Sequence, residues 1–245
     1  MADIRIGCSG FLYDQWKGTF YPENLPRSQW LDFYSKHFPT VELNVTFYRL
    51  PERETFAKWY LATPKDFVFS LKASRFITHV KKLKDCAEPV EAFFSRASVL
   101  KEKLGIILWQ LPPTFNLDIE RLKEFLEVLK PYRKRNTFEF RNKTWMTKKI
   151  FSLFEKENIA LCMADHPDFL DNLPATADFI YIRRHGEGGS YTTSYSAESL
   201  KGDAKVIKDH LKKKKDVFIY FNNDAFGYAP QNALELITLV GKKKP

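Results

Sequence analysis

Long apolar runs, cysteines and nucleotide-binding loops are all scarce in this sequence of 245 residues. No stretch approaches the ~20 apolar residues of a membrane span. The start, MADIRIGCSG, lacks the basic and apolar regions of a secretory signal peptide. Three cysteines without close spacing (Cys8, Cys86 and Cys162) indicate neither a disulfide framework nor a zinc site. We therefore expect a soluble, cytoplasmic chain that makes no membrane contact and keeps its thiols reduced.

Apolar residues make up 44% of the chain and aromatic residues 16%, which suffices for a large core and excludes global disorder. Short runs of strand character recur at regular intervals, with helical patterns between them. Strands are predicted at residues 4–8, 40–44, 67–72, 106–111, 137–141, 159–163, 179–183 and 217–222. Helices are predicted at residues 28–38, between Pro51 and Pro64, at 89–103, from Asp118 onwards, and at 144–157, 197–213 and 229–240, with a weaker one at 165–175.

Eight strands that alternate with helices are typical of an α/β protein of the (β/α)8 TIM-barrel type, whose usual size is ~250 residues. A doubly wound open sheet is the alternative architecture. Such sheets usually carry a glycine-rich nucleotide loop, and neither G-x-G-x-x-G nor G-x-x-x-x-G-K-[ST] occurs here. No linker or shift in composition marks a boundary, so we predict a single domain, residues 1–245, with a parallel eight-stranded barrel.

Polar side chains end seven of the eight predicted strands, at the end where TIM barrels carry their active sites. Residues two apart, such as Glu42 and Asn44, share one face of a strand. We predict acid–base roles for Glu42, Glu139, Asp165 and His185. We predict ligand contacts for Asn44, Lys72, Gln110, Arg141, Arg183 and Asn222. A purely structural network of paired charges is the alternative, because an unpaired charge inside a barrel is costly.

Several segments in fixed order resemble the YecE-like family (domain of unknown function 72). They are IRIGCSGFLYDQWKGTFYP, TVELNVTFYRLP, FSLKASRFITH, LGIILWQLPPTF, FEFRNKTW, YIRRHG and YFNND with the following FGYAPQNA. The resemblance extends from residue 4 to about residue 233 and implies a TIM-type barrel of unestablished activity. Phe11 stands where the family commonly has tryptophan, and Asn142 where it commonly has histidine. The second difference argues against a mechanism that needs an imidazole at that position.

Three cations at strand ends, Lys72, Arg141 and Arg183, favour a pocket for a small phosphorylated or nucleotide-like anion. Glycines 186, 188 and 189, in the loop after strand seven, would bring backbone N–H groups to the same anion. A carboxylate would then act as the base and His185 as the acid. If the protein is an enzyme, these groups favour a hydrolase or transferase that needs neither a metal nor a cofactor.

Other functions remain open. The carboxylates and His185 are also the ligands of a metal-dependent endonuclease or sugar isomerase, although cations in the same cavity would repel a metal ion. Glycoside hydrolysis needs two carboxyls about 5–10 Å apart, and we expect Glu42 and Glu139 to be too far apart, since their strands lie three apart. Rings in the first loop, such as Tyr13 and Trp16, would either stack on a ligand or form a buried lid. A non-enzymatic barrel that binds nucleic acid or a protein partner is the remaining class.

The net charge of +9 invites a nucleic-acid partner. Three basic runs, at residues 133–135, 212–215 and 242–244, hold more positive charge than this whole excess. In a barrel the first two precede strands, so they would lie at the end opposite the predicted site, and the third follows the last helix. The charge placement therefore does not support nucleic acid at the active end, and the residues predict no particular oligomeric state.

Overall fold

The computed structural model describes residues 2–165 and 173–241. Its strands are β1 (Ile4–Ser9), β2 (Thr40–Leu43), β3 (Val68–Lys72), β4 (Leu104–Gln110), β5 (Arg135–Glu139), β6 (Ala160–Ala164), β7 (Phe179–Arg184) and β8 (Asp216–Phe221). They form one closed barrel in sequence order, and β8 pairs in parallel with β1. The predicted (β/α)8 fold is thus confirmed, and every strand overlaps its predicted range.

Helices lie between most strands, as predicted. They are α1 (Trp30–Ser35), α2 (Val45–Tyr48), α3 (Arg53–Leu61), α4 (Ala87–Ala97), α5 (Ile119–Leu129), α6 (Lys148–Glu157), α7 (Ala197–Lys212) and α8 (Tyr228–Val240). Asp118 caps α5 as expected, because its carboxylate accepts the Arg121 N–H at 3.1 Å. None of the helices in these described ranges combines the length and apolar character needed to cross a membrane.

Helix boundaries differ from the predicted ones where short turns precede a helix. The helix expected to open at Pro51 begins at Arg53, because Glu52 still has extended backbone angles. The helix expected from residue 144 begins at Lys148, since a 3-10 turn occupies Lys143–Trp145. The weaker helix predicted at 165–175 falls mainly on residues 166–172, which lie outside the described residues.

Alternate residues of each strand face the barrel interior, and these inward series change from apolar to polar toward the carboxyl end. In β4, Ile106 and Leu108 pack in the interior cluster and Gln110 follows them at the cavity above. In β7, Tyr181 belongs to that cluster and Arg183 lies at the cavity. The alternation of a strand therefore delivers polar side chains to the mouth of the barrel while its lower part stays packed.

A layer of hydroxyl groups separates the apolar interior from the charged residues above it. The Tyr220 hydroxyl lies 2.8 Å from Thr40 Oγ1 and 2.7 Å from Ser70 Oγ. The Tyr220 ring packs against Tyr181, with 5.2 Å between centroids. Tyr181 in turn donates a hydrogen bond of 2.7 Å to Glu42. These buried polar groups are satisfied by one another, which links the core directly to the carboxylates beneath the cavity.

Candidate functional site

A cavity of about 560 Å³ opens at the carboxyl end of the strands, a size typical of small-molecule sites. The structure places six side chains predicted to contact a ligand in its wall: Asn44, Lys72, Gln110, Arg141, Arg183 and Asn222. The wall also contains Tyr13, Phe47, Tyr48, Arg75, His79, Tyr191 and Asp224. Four of these lining side chains are lysine or arginine and one is a carboxylic acid, so the described wall is predominantly cationic.

Arg183 forms the floor of the cavity and is held between two buried carboxylates. Its Nη1 donates to Glu139 Oε2 at 2.7 Å, and its Nη2 donates to Glu42 Oε1 at 3.0 Å. The Arg183 Nε also lies 3.1 Å from Glu42 Oε2. Glu42 is 0% exposed and Glu139 is 1% exposed, and neither belongs to the cavity wall. The two carboxylates therefore neutralise and fix the guanidinium from behind.

Further hydrogen bonds hold both carboxylates in the ionised form. Ser9 donates to Glu42 at 2.6 Å and Arg141 donates to Glu139 at 2.8 Å. Burial opposes ionisation of Glu42, but Arg183 and the Ser9 hydroxyl prevail and hold its pKa below the usual value. Burial likewise opposes ionisation of Glu139, but Arg183 and Arg141 outweigh it and hold the pKa of Glu139 well below its usual value. Buried carboxylates with lowered pKa suit the positioning of Arg183 better than the expected role as proton acceptors.

Lys72 brings a charged amine to the cavity from the end of β3. Its side chain is 9% exposed, and its Nζ lies 4.3 Å from the centroid of the Phe47 ring. Within the described residues Lys72 has no carboxylate at ion-pair distance. Burial and the nearby Arg183 lower the pKa of Lys72 to about 8. The amine is thus largely charged at neutral pH, and its charge is not cancelled by a direct ion pair.

The segment after β3 adds two more nitrogen-bearing side chains to the same wall. Arg75 precedes a π-helical turn, Phe76–Val80, which carries His79. Burial, Lys72 and Arg75 lower the pKa of His79 to about 4. His79 is therefore neutral at neutral pH, and the positive charge on this side of the cavity comes from Lys72 and Arg75.

Asp224 is the acidic member of the described wall, and it follows β8. Burial raises its pKa to about 6, while a hydrogen bond to its own backbone and the nearby Tyr13 oppose the rise. The ring order places β8 three strands from β3 and three strands from β5. Asp224 therefore enters the cavity from the side away from Lys72 and Arg141, and it can exchange a proton near neutral pH.

Two amide side chains in the wall have unused hydrogen-bonding capacity. Gln110 is 4% exposed, and its Oε1 has no hydrogen-bond partner among the described residues. The same holds for Asn44 Oδ1. Buried amides are normally hydrogen-bonded, so two such groups in one cavity mark a place where a ligand or water would complete the pairing.

Two of the predicted catalytic residues, His185 and Asp165, lie outside the cavity wall as described. His185 is 0% exposed, and its Nδ1 lies 3.3 Å from Asp165 Oδ1. Asp165 also accepts the His185 backbone N–H at 2.8 Å and a short hydrogen bond from the Tyr195 hydroxyl. Burial lowers the pKa of His185, although the bond to Asp165 opposes this. The structure therefore brings these two residues together behind the wall, where the His185 ring packs against Tyr191 with 5.0 Å between centroids.

Two local expectations are wrong. In the glycine loop after β7, the N–H groups of Gly186 and Gly189 are not presented to the cavity, because Gly186 donates to the Tyr195 hydroxyl and Gly189 to the Gly186 carbonyl. The expected wide separation of Glu42 and Glu139 is also wrong, since both bind the Arg183 guanidinium. Their burial behind Arg183, and not their distance, argues against a glycosidase pair.

The described residues contain no group of three or more His, Cys, Asp or Glu side chains arranged to hold a metal ion. The three cysteines are buried, and burial raises the pKa of the Cys8 thiol well above its usual value. A protonated, inaccessible thiol is a poor nucleophile. Neither observation points to metal or thiol chemistry at the mouth.

Sequence reasoning missed three aromatic members of the wall. Phe47 and Tyr48 belong to α2, a single helical turn that follows β2 directly, and Tyr191 lies in the loop after β7. None of them continues the alternation of a strand, which was the signal used to find the other residues. In the first loop Trp16 and Tyr21 are buried, as a lid requires, whereas Tyr13 lines the cavity.

The model of the family described as "Protein of unknown function DUF72" matches residues 5–245. The chain is 25% identical to the UPF0759 protein YunF of Bacillus subtilis (strain 168), over 91% of this chain and 90% of that protein. It is 37% identical to the UPF0759 protein YecE of Escherichia coli (strain K12), over 40% of this chain and 37% of that one. The crystal structure of a DUF72 family protein of Thermotoga maritima is similar with a TM-score of 0.86 and 31% identity, covering 98% of this chain and 100% of that one.

Proposed function

The chain belongs to the DUF72 family, and from its cavity we propose that it binds a small phosphorylated ligand at the carboxyl end of the barrel. The observation that carries the proposal is the buried amine of Lys72, which faces the cavity without a direct ion pair among the described residues. Leaving an ammonium in such a place is costly unless an anion accompanies it. Arg75, Arg141 and Arg183 surround the same space and supply the planar donors that suit phosphate oxygens.

Binding of phosphorylated compounds by the intact protein tests this proposal. Isothermal titration with inorganic phosphate, glucose 6-phosphate and neutral glucose should show binding of the two phosphates and not of glucose. Arg141→Ala and Lys72→Met should each weaken phosphate binding about 10- to 100-fold, the usual effect of losing a hydrogen bond between charged groups. Arg133→Ala is the matched control, because Arg133 precedes β5 at the opposite end of the barrel and is exposed. Equal affinities in all variants, or no phosphate binding, would refute the proposal.

The wall also supports a reaction on the bound anion, either hydrolysis or transfer without a metal. Among the described residues, Asp224, with a pKa of about 6, is the carboxylate in the cavity wall, and Tyr13 lies in the same wall. This geometry favours Asp224 over Glu42 and Glu139 as the proton acceptor. Turnover of p-nitrophenyl phosphate in the presence of EDTA should be lost in Asp224→Asn while phosphate affinity is kept. Absence of turnover in the wild type would leave a binding protein and not an enzyme.

A further inference from the structure

A second, apolar cavity of about 150 Å³ adjoins the cationic one. It is lined by Phe11, Leu12, Leu43, Val45 and Trp59, and we call it the apolar annex. Tyr13 and Asn44 belong to the walls of both cavities, so the two spaces meet at these side chains.

The position of Tyr13 between the two cavities is fixed by a close approach to Gly10. Gly10 has φ +99°, and a Cβ at this position would lie 2.7 Å from the Tyr13 hydroxyl. The same hydroxyl donates to the Ser9 carbonyl at 2.6 Å. Contacts with Gly10 and Ser9 at the end of β1 therefore hold Tyr13 in place in the wall that the two cavities share.

The annex has apolar surface that the fold leaves open to solvent. Leu12 is 45% exposed and Val45 is 47% exposed. Other exposed large apolar side chains lie in the segments that follow β2, β3 and β8 at the same end of the barrel: Tyr48, Phe76, Val80 and Phe226. Apolar side chains exposed together around a cavity mark a binding surface more often than isolated ones do.

We propose that the annex binds an aromatic ring of the same ligand whose phosphate lies in the cationic cavity, an inference that rests on the proposed function. A protein cavity of about 150 Å³ with an apolar lining holds one benzene molecule, so the volume matches a single ring. The joined walls place that ring next to a site whose charge complements a phosphate. The ligand class is thus a phosphomonoester with an aromatic group.

Methyl phosphate and phenyl phosphate carry the same phosphate on a methyl group and on an aromatic ring, so a comparison of the two tests the annex directly. Titration calorimetry near neutral pH should give the intact protein at least about tenfold higher affinity for phenyl phosphate, because ring burial removes apolar surface from water. In the double variant Leu12→Ser/Val45→Ser the preference should fall below about threefold, with methyl phosphate affinity unchanged. Val206→Ser is the control, since Val206 is exposed on α7 and does not line either cavity.

The outcomes separate this inference from the proposed function. If methyl phosphate binds and phenyl phosphate binds no better, the cationic site stands and the annex proposal is overturned. If the preference persists in the double variant, the ring lies elsewhere and the proposal is again overturned. If the wild type sediments as a dimer that the double variant abolishes, and the preference is absent, the annex is a contact between two copies. If neither phosphate binds, both proposals fail together.

Discussion

At the scale of single residues, Arg183 decides what the barrel mouth can do. A guanidinium buried this deeply requires compensation, and Glu42 on β2 and Glu139 on β5 supply it. Those carboxylates are paired with Arg183, so the groups of the described wall whose pKa lies between about 6 and 8 are Lys72 and Asp224. We call Arg183 with Glu42 and Glu139 the brace. The charge at the mouth of the barrel therefore depends on wall residues that do not belong to the brace.

Removing one carboxylate of the brace should destabilise the fold. Glu42→Gln keeps the size of the side chain and removes its charge. Loss of one partner of a buried ion pair lowers the free energy of unfolding by about 3 kcal/mol or more. Urea unfolding at neutral pH measures the change in the free energy of unfolding. Glu120→Gln, at an exposed carboxylate of α5, should change it by less than about 0.5 kcal/mol. A Glu42→Gln protein as stable as the wild type would contradict the account of the brace.

Affinity for a phosphomonoester such as methyl phosphate should fall as the pH rises through the pKa of Lys72. Burial and Arg183 lower that pKa to about 8, so the amine is charged below this pH and neutral above it. A phosphomonoester has a second pKa of about 6 and keeps its charge above about pH 7, so the ligand does not contribute to the change. Titrations between about pH 7 and pH 9 should show Kd rising severalfold in the wild type. In Lys72→Met the affinity should be low throughout, and a slope like that of the wild type would contradict the assignment.

At the scale of elements, the sequence predicted those features that depend on neighbouring residues alone, such as a helix cap and the alternation of a strand. The carboxylate of Asp118 satisfies an N–H of the first turn of α5, and that side-chain chemistry is visible in the sequence. The alternation along β2 and β5 likewise identified Asn44 and Arg141 as residues that face the cavity.

Other element boundaries depend on contacts that the sequence does not reveal locally. Pro51 can open a helix, but the chain remains extended through Glu52 and α3 begins at Arg53, two residues after Pro51. Phe47 and Tyr48 reach the cavity because α2 is a single turn inserted directly after β2, which no strand period encodes. The burial of Glu42 behind Arg183 depends on pairing across the barrel, so the sequence predicted the residue and not its role.

The cap of α5 gives a prediction at this scale. Asp118→Ala removes the acceptor for the Arg121 N–H and should lower the free energy of unfolding by about 1 kcal/mol. Denaturant unfolding measures the change. The control is Glu124→Ala on the same helix, at an exposed position. A larger effect at Glu124 than at Asp118 would show that the cap does not stabilise this helix.

At the scale of the whole molecule, positive charge lies at both ends of the barrel, in basic runs at the amino end and in the cavity wall at the carboxyl end. Arg133 and residues 212–215 stand before β5 and β8, at the amino end, whereas Lys72 and Arg141 face the cavity at the carboxyl end. The third basic run, at residues 242–244, lies outside the described residues. A strand of five residues separates the ends by about 16 Å, beyond the screening length of about 8 Å at physiological salt.

Neutralising the amino end should therefore leave ligand binding unchanged. The triple variant Lys212→Gln/Lys213→Gln/Lys214→Gln removes exposed charges that precede β8. At about 0.15 M salt the Kd for phosphate should stay within about twofold of the wild-type value. A loss as large as that of Arg141→Ala would mean that overall charge, and not the cavity, attracts the anion.

The brace of Arg183 also has a consequence for how this barrel can be re-engineered. Glu42 and Glu139 fix the guanidinium and Tyr181 fixes Glu42, and all of them lie on strands, so the proposed anchor for an anion is held by the barrel itself. The segments that carry Tyr48, Phe76 and Phe226 lie above this floor and contribute none of the hydrogen bonds between Arg183 and its two carboxylates. If the proposed function holds, ligand preference can be redesigned at the rim while the contacts of Arg183 are kept.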